Sequence, residues 1–392
     1  MTNSYKKFTE INLLFSFSLA LVGSILSPYI KSLGFSAWQV SLMFSVFPFV
    51  NIVFLPLFGR LADSLSKRLV IWLGIWLEIV ALVLYLFPVN WYLVVGARLF
   101  DALAASLVSL LILAKIEDGI KDNKKRGSKT GAYLSWGYIG ELVGPLLGAF
   151  LADFFFVRFP FLVAIAILIG LLFYVWQGEF SEVKKYKIKL SELSWLEEIK
   201  IFLKERKLRG MAIMGMVMHA TNPAMKVFLP IIIISEMGMT YQAIGTAMFV
   251  YGIVHLAQGL FGRLSDKWGY DRMVIIGTLL VAISLSLISI SSSYYFLLLL
   301  LFVQGIGTSM WNVSAWSLMS EVGEQKKIEA QVLTSYYSLA KIGALASFLV
   351  SSFLVKQLGV DIIFVVNGIL IVIGVILAWP LLKSSNNFKF KY

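Results

Sequence analysis

The sequence predicts an all-α membrane protein with twelve transmembrane helices in two pseudo-symmetric six-helix bundles. Three observations lead there: the apolar composition, recurring runs of about 20 apolar residues, and one polar loop that occurs twice. Of 392 residues, 59% are apolar and only 14% charged, against roughly 25% charged in soluble domains. That is too little polar surface to cover a water-soluble body of this size, so the expected solvent is lipid. The chain has no cysteine, which excludes disulfides, thiolate metal sites and cysteine nucleophiles.

A hydrocarbon core of about 30 Å takes roughly 20 apolar residues as helix. Such runs lie near residues 10–32, 37–59, 69–88, 90–114, 130–152, 159–178, 210–235, 241–262, 272–291, 294–318, 329–354 and 360–382. Most are separated by short turns such as GFSA, PVN, SSSY and QLGVD, which join antiparallel neighbours. Backbone groups in lipid must be paired within the segment, so the runs are helices; they are too long and too uniformly apolar for barrel strands. The first run exceeds the apolar region of a signal peptide and lacks a small-x-small cleavage site, so it is expected to be a retained span.

The bases set the orientation. Of the 34 Lys and Arg, 28 lie in the terminal segments and the loops on the same side as the termini. Only Lys31, Arg158 and Lys356 fall on the other side. By the positive-inside rule both termini are cytoplasmic, in a multi-pass protein expected in the cell membrane. The net charge of +12 then reports topology and attraction to anionic head groups, not nucleic-acid binding.

The longest polar segment, 179–209, divides the chain into an amino-terminal bundle, 1–178, and a carboxy-terminal bundle, 210–392. Within it, Ser194 and Glu197 have capping-box spacing. Leu196, Ile199 and Leu203 recur at helical spacing, which predicts an amphipathic helix along the cytoplasmic surface.

The loop GRLADSLSKR follows span 2, and GRLSDKWGYDR follows span 8, 203 residues later. Each half has an even number of spans, so the halves are parallel repeats, an arrangement frequent in transporters. The first loop resembles motif A of the major facilitator superfamily, G-x-L-x-D-x-x-G-R/K-R/K, through Gly59, Leu61, Asp63, Lys67 and Arg68. Ser66 stands where the second glycine is usual. The second copy matches at Gly262, Leu264, Asp266, Gly269 and Arg272. The resemblance implies alternating access, with Gly59, Asp63, Arg68, Gly262, Asp266 and Arg272 as a cytoplasmic conformational gate. A glycine permits close approach, and an aspartate at a helix end pairs with arginine or accepts from exposed amides.

Span 5 reads GYIGELVGPLLGAF and resembles the family's motif C, found mainly in its antiporters. Gly140, Gly144, Pro145 and Gly148 match, and Ala149 replaces a common final glycine. Glycines four apart make a smooth face for helix packing, and Pro145 bends the helix. Arg98 resembles the arginine of motif B, L-x-x-x-R-x-x-Q-G, although Asp101 and Ala102 replace Gln and Gly. Span 10 carries the complementary remnant, Gln304-Gly305, with Leu301 at the arginine position.

Charges deep in a span are costly and functional by default; here they are Glu78, Arg98, Asp101, Glu141, Lys226 and Lys341. The family resemblance implies a cavity lined by spans 1, 4, 7 and 10 and flanked by 2, 5, 8 and 11. Arg98, Asp101, Glu141, Lys226 and Lys341 can face it, whereas Glu78 in span 3 reads as a peripheral partner of a neighbouring helix. Glu141 is the first candidate proton carrier, since burial favours a neutral carboxyl unless a cation offsets it. Asp101 is second, with Arg98 holding it ionised. His219, Asn222 and Lys226 have the spacing of one polar helical stripe. Tyr251, His255, Gln258, Gln304, Thr308, Asn312, Tyr337 and Trp136 complete the candidate cavity, with Tyr138, Trp311 and Trp316 among them.

These readings converge on a secondary active transporter, a monomer that exchanges protons for small amphipathic or drug-like compounds and exports them. A transporter of sugars or organic anions is the alternative. No cofactor is expected. Two histidines without suitably spaced carboxylates make no metal site, and neither a nucleotide-binding loop nor a selectivity ring is visible, which disfavours a membrane enzyme or a channel. Asp63→Asn should lower transport in reconstituted vesicles about tenfold, as loss of roughly 1.5 kcal/mol from a charge-assisted hydrogen bond implies, with membrane insertion unchanged. Asp266→Asn should be milder.

Overall fold

In a computed structural model, residues 3–54, 66–87, 90–118, 126–177, 195–326 and 329–383 are described. Among them, twelve helices are long and apolar enough to cross a membrane: Lys7–Ser32, Ala37–Phe54, Arg68–Leu86, Trp91–Val108, Gly137–Phe154, Phe159–Gln177, Arg206–Ser235, Tyr241–Trp268, Tyr270–Ile288, Tyr294–Val322, Ser335–Leu358 and Ile362–Leu382. They are spans 1 to 12 below. The near side is where span 1 begins, and the far side is where it ends. Several helices continue past the apolar window, as in Trp91–Asp118 and Arg126–Phe154.

The chain divides into two compact units. One comprises Met1–Leu190 with Met225–Phe249, and the other Ser191–Ala224 with Val250–Tyr392. The chain changes unit within spans 7 and 8, where both helices are irregular. Span 7 is α-helical over Arg206–His219, π-helical over Ala224–Phe228 and α-helical again over Leu229–Ser235. Pro223 brings no amide hydrogen, so the α-helical ladder cannot run through it. Nearby carbonyls are met by hydroxyls: Ser347 donates to Ala220 at 2.6 Å and Ser27 to Val227 at 3.1 Å. An unpaired carbonyl at this depth would cost several kcal/mol. Span 8 carries a 3₁₀ turn over Val254–Ala257 between Tyr241–Ile253 and Gln258–Trp268.

In the first unit, span 5 lies against span 1 along its glycines. A methyl group on Gly140 would stand 2.9 Å from the Phe17 nitrogen, and one on Gly144 would stand 2.5 Å from Ala20 Cβ. Gly148 meets the Leu21 backbone still more closely. A neighbouring face of span 5 receives span 8, where Gly245 sits against the Pro145 carbonyl, Leu146 and Ala149. At the far side the Asp153 carboxylate accepts the amides of Tyr241 and Gln242, at 3.1 and 2.6 Å. It caps the first turn of span 8 from another helix, where a negative charge suits the dipole. Lys31 donates to Ser235 at 2.9 Å on the same side.

The helix predicted within 179–209 forms over Trp195–Lys204, while Ser194 lies outside the described residues, as do the side chains of Leu196 and Glu197. Phe202 is the buried residue, Ile199 is half-buried and Leu203 is exposed. The helix packs on spans 7 and 11 of its own unit, so its apolar contact is one residue out of register with the pattern Leu196, Ile199, Leu203.

Gly144→Leu should force spans 1 and 5 apart and cost about 1–3 kcal/mol, lowering the thermal midpoint of the purified protein. Gly170→Leu should leave that midpoint unchanged, because a Cβ added there meets no atom within 4 Å and the side chain starts in open space.

Candidate functional site

The first unit concentrates ionisable groups in mid-span. Arg98 and Asp101 are three residues apart on span 4, so one helical face carries both. Arg98 Nη1 donates to Asp101 Oδ2 at 2.6 Å, and the two residues are 7% and 8% exposed. The guanidinium also lies over two span-2 rings, 4.2 Å from Phe44 and 5.4 Å from Phe47. A desolvated planar cation gains from an aromatic face as well as from a carboxylate. Further along span 4, Ser106 donates to Asn51 of span 2 at 3.1 Å.

Glu78 belongs to this cluster and not to the periphery. It is 2% exposed, and the charged groups that act on it are Asp101 and Arg98. Sequence reading kept it out of the site because span 3 lies outside the expected cavity lining. A depth count would have found it. Spans 3 and 4 form a hairpin, with Glu78 eight residues before Leu86 and Arg98 seven after Trp91.

Glu141 leaves the glycine face, as the 100° step of a helix requires. Its side chain is exposed on another face of span 5. Lys226 is exposed and its charge acts on both Glu141 and Asp101. It sits in the π-helical turn of span 7. The stripe predicted for His219, Asn222 and Lys226 therefore fails, because the α-helix ends at His219 and the turn changes before Lys226. Trp136 has its side chain outside the described residues.

The second unit brings other candidates together. Tyr251 packs on His255, ring centroids 5.2 Å apart, and donates to Thr308 at 3.4 Å. Thr308 in turn donates to the Gln304 carbonyl at 2.9 Å. Gly305 permits this approach, since a side chain there would collide with the Tyr251 carbonyl. His219 Nδ1 lies 3.1 Å from the Gly215 carbonyl, and its ring meets Trp311 edge-on at 6.0 Å. Trp311 and Trp316 flank Tyr336 at 6.5 and 6.2 Å. Tyr336 was not singled out in the sequence; its ring fills the space left by Gly215. Lys341 Nζ stands 4.6 Å from the Tyr337 ring centroid, and Asn312 is half-buried.

The two motif-A copies turn differently. Gly59 and Asp63 lie outside the described residues. Ser66 has φ −64° and accepts the Leu69 amide at 3.3 Å as the N-cap of span 3. Gly269, at the matching position, has φ 95°, a conformation open to glycine and strained for serine. Arg68 lies 5.1 Å over the Trp176 ring. In the second copy Asp266 accepts from the Tyr270 hydroxyl at 2.8 Å, and Arg272 is exposed. Gly262 packs near Val313 of span 10.

A multi-pass helical protein with charged groups held at mid-span has the make-up of a membrane transporter. The sequence profile of the Major Facilitator Superfamily matches residues 11–255 and 224–387, and the chain belongs to that superfamily. It is 24% identical over 375 residues to a multi-drug resistance efflux pump PmrA homolog of Lactococcus lactis, covering 92% of this chain and 90% of the relative. It is 25% identical over 366 residues to an uncharacterized MFS-type transporter of Methanocaldococcus jannaschii, covering 91% and 93%. Its fold is similar to that of a POT family transporter solved with 5-aminolevulinic acid, at TM-score 0.82 and 16% identity, covering 97% and 96%.

Arg98→Met should leave buried carboxylates without their cation and cost about 3–5 kcal/mol. The double variant Arg98→Met/Asp101→Leu should recover part of that loss, read as a higher melting temperature than the single variant in the same detergent.

Proposed function

We propose that this superfamily transporter exports small amphipathic compounds in exchange for protons, by alternating access, with both termini in the cytoplasm and as a monomer in the cell membrane. The observation that carries the reading is the motif-C helix. Its glycines are committed to span 1, which leaves Glu141 exposed on another face of span 5, where the Lys226 charge acts on it. A carboxylate in such a place can exchange its proton for a substrate as access changes sides. The relative named as a multi-drug efflux pump homolog supports export at the level of the superfamily. On this reading the repeats 1–178 and 210–392, joined by 179–209, are the moving halves, and the motif-A loops gate their cytoplasmic ends. The substrate would contact the clusters around Tyr251, Thr308 and Trp311, where aromatic rings and single polar groups suit amphipathic molecules.

Transport in proteoliposomes with and without an imposed pH gradient tests this. The unmodified protein should accumulate a lipophilic dye against its gradient, and Glu141→Gln should bind the dye yet lose the uphill component. Accumulation by Glu141→Gln equal to that of the unmodified protein would remove Glu141 from coupling.

The exposed Lys226 and the position of Lys341 over Tyr337 favour a second reading, the transport of organic anions. Matched anionic, neutral and cationic dyes separate the two. A preference for anions that disappears in Lys226→Gln would replace drug export with anion transport.

A further inference from the structure

We propose that the far hairpin of spans 7 and 8, Met225–Phe249, is a hinged lid that Asp153 latches shut on spans 1 and 5. The inference rests on the alternating-access reading above and adds a moving part to it.

The hairpin holds itself together. At its tip the Met237 amide donates to the Ile232 carbonyl at 2.9 Å and the Met239 amide to the Ile233 carbonyl at 3.0 Å. Gly238 closes the turn with φ 64°, which glycine adopts without strain. The tip is therefore one piece. Its two ends run into irregular backbone, the π turn Ala224–Phe228 and the 3₁₀ turn Val254–Ala257. Interruptions of the regular ladder are where helices bend. The hairpin packs with the first unit, while the chain on either side of it belongs to the second. A segment seated on one body and joined to another through two bendable turns can swing between them.

The latch is visible in the hydrogen bonds. The first amides of a helix have no partner within it. In span 8 the Tyr241 and Gln242 amides donate to Asp153 Oδ1 and Oδ2, at 3.1 and 2.6 Å. A cap usually comes from the residue just before the helix and moves with it. Here it comes from span 5, so span 8 cannot lift away without breaking both bonds. Asp153 is exposed, so water can take over from the amides and no charge is buried when the latch opens. Lys31 and Ser235 tie span 1 to the end of span 7 at the same rim. Deeper in, Gly245 meets the Pro145 carbonyl, Leu146 and Ala149 without a side chain of its own, a smooth contact that can part and close again. Ser27 holds the Val227 carbonyl inside the π turn at 3.1 Å, at the pivot of the lid.

The chain has no cysteine, so one introduced thiol reports lid opening. Ala149 is buried beneath Gly245. In the purified protein, Ala149→Cys should react slowly with a water-soluble maleimide. Adding Asp153→Ala should speed that reaction about tenfold, the change in open population that roughly 1.4 kcal/mol gives. Ala164→Cys, equally buried in span 6, should keep its rate. An unchanged rate at Ala149, or an equal rise at both positions, would overturn the latch. Should Asp153→Ala fold poorly, a donor can be removed instead. Tyr241 is the first residue of its helix, where proline is accepted. Tyr241→Pro deletes one latch amide, whereas Tyr241→Ala loses the same ring and keeps the amide. Labelling of Ala149→Cys should be faster with Tyr241→Pro than with Tyr241→Ala, and equal rates would overturn the latch. Asp153→Cys/Gln242→Cys joined by a short reducible cross-linker should stop dye accumulation in proteoliposomes, and reduction should restore it. Accumulation unaffected by the cross-link would overturn the lid. Labelling needs neither dye nor gradient. An unmodified protein that moves no dye would therefore overturn the transport reading, while the labelling rates still decide the latch.

Discussion

Lipid offers no hydrogen bonds, and every polar group carried into it has to be answered by the protein itself. Regular helices meet this condition for the backbone, and most of the chain is therefore helical. The same condition governs the departures. Where Pro223 interrupts span 7, Ser347 and Ser27 supply hydroxyls to the carbonyls of Ala220 and Val227. Where span 4 carries a cation, the protein surrounds it with the Asp101 carboxylate and the faces of Phe44 and Phe47. Glu78 Oε2 is among the buried polar atoms that meet no hydrogen-bond partner among the described residues.

Packing decides where the polar groups can act. With no hydrophobic drive between helices in lipid, close approach has to come from small residues. Span 5 gives up side chains at Gly140, Gly144 and Gly148 to lie against span 1, and Gly245 lets span 8 approach its neighbouring face. Asp153 then binds the first amides of span 8. A helix held along two faces has a fixed rotation, and the remaining direction is the one Glu141 takes. The glycines thus act on the carboxyl at a distance, by fixing the helix that carries it.

Much of this architecture is legible in the sequence because it depends on local composition. Each span needs only a sufficient apolar run. The glycine spacing of span 5 appears directly as a packing face, and Arg98 and Asp101 stand on one helical face by their spacing alone. The motif-A loops were legible as a pair, yet their difference was not. Ser66 and Gly269 occupy one motif position, but the first caps a helix in extended backbone and the second takes a positive φ. The polar stripe of span 7 was misread for a related reason. Periodicity assumes an unbroken helix, and a proline near mid-span replaces part of it with a π turn.

The sequence by itself determined the solvent of this protein, its twelve spans and its superfamily, since hydrophobicity, segment length and motif residues are properties of short stretches. Only the tertiary structure decided which charges meet. Glu78 joins Arg98 and Asp101 because two helices of a hairpin reach the same depth and turn those faces together. Lys226 acts on Glu141 and Asp101 because the far half of span 7 packs within the first unit. Phe202, not Leu203, anchors the short helix before span 7. Depth, rotation and partner are relations between segments distant in the chain, and a one-dimensional pattern carries no term for them.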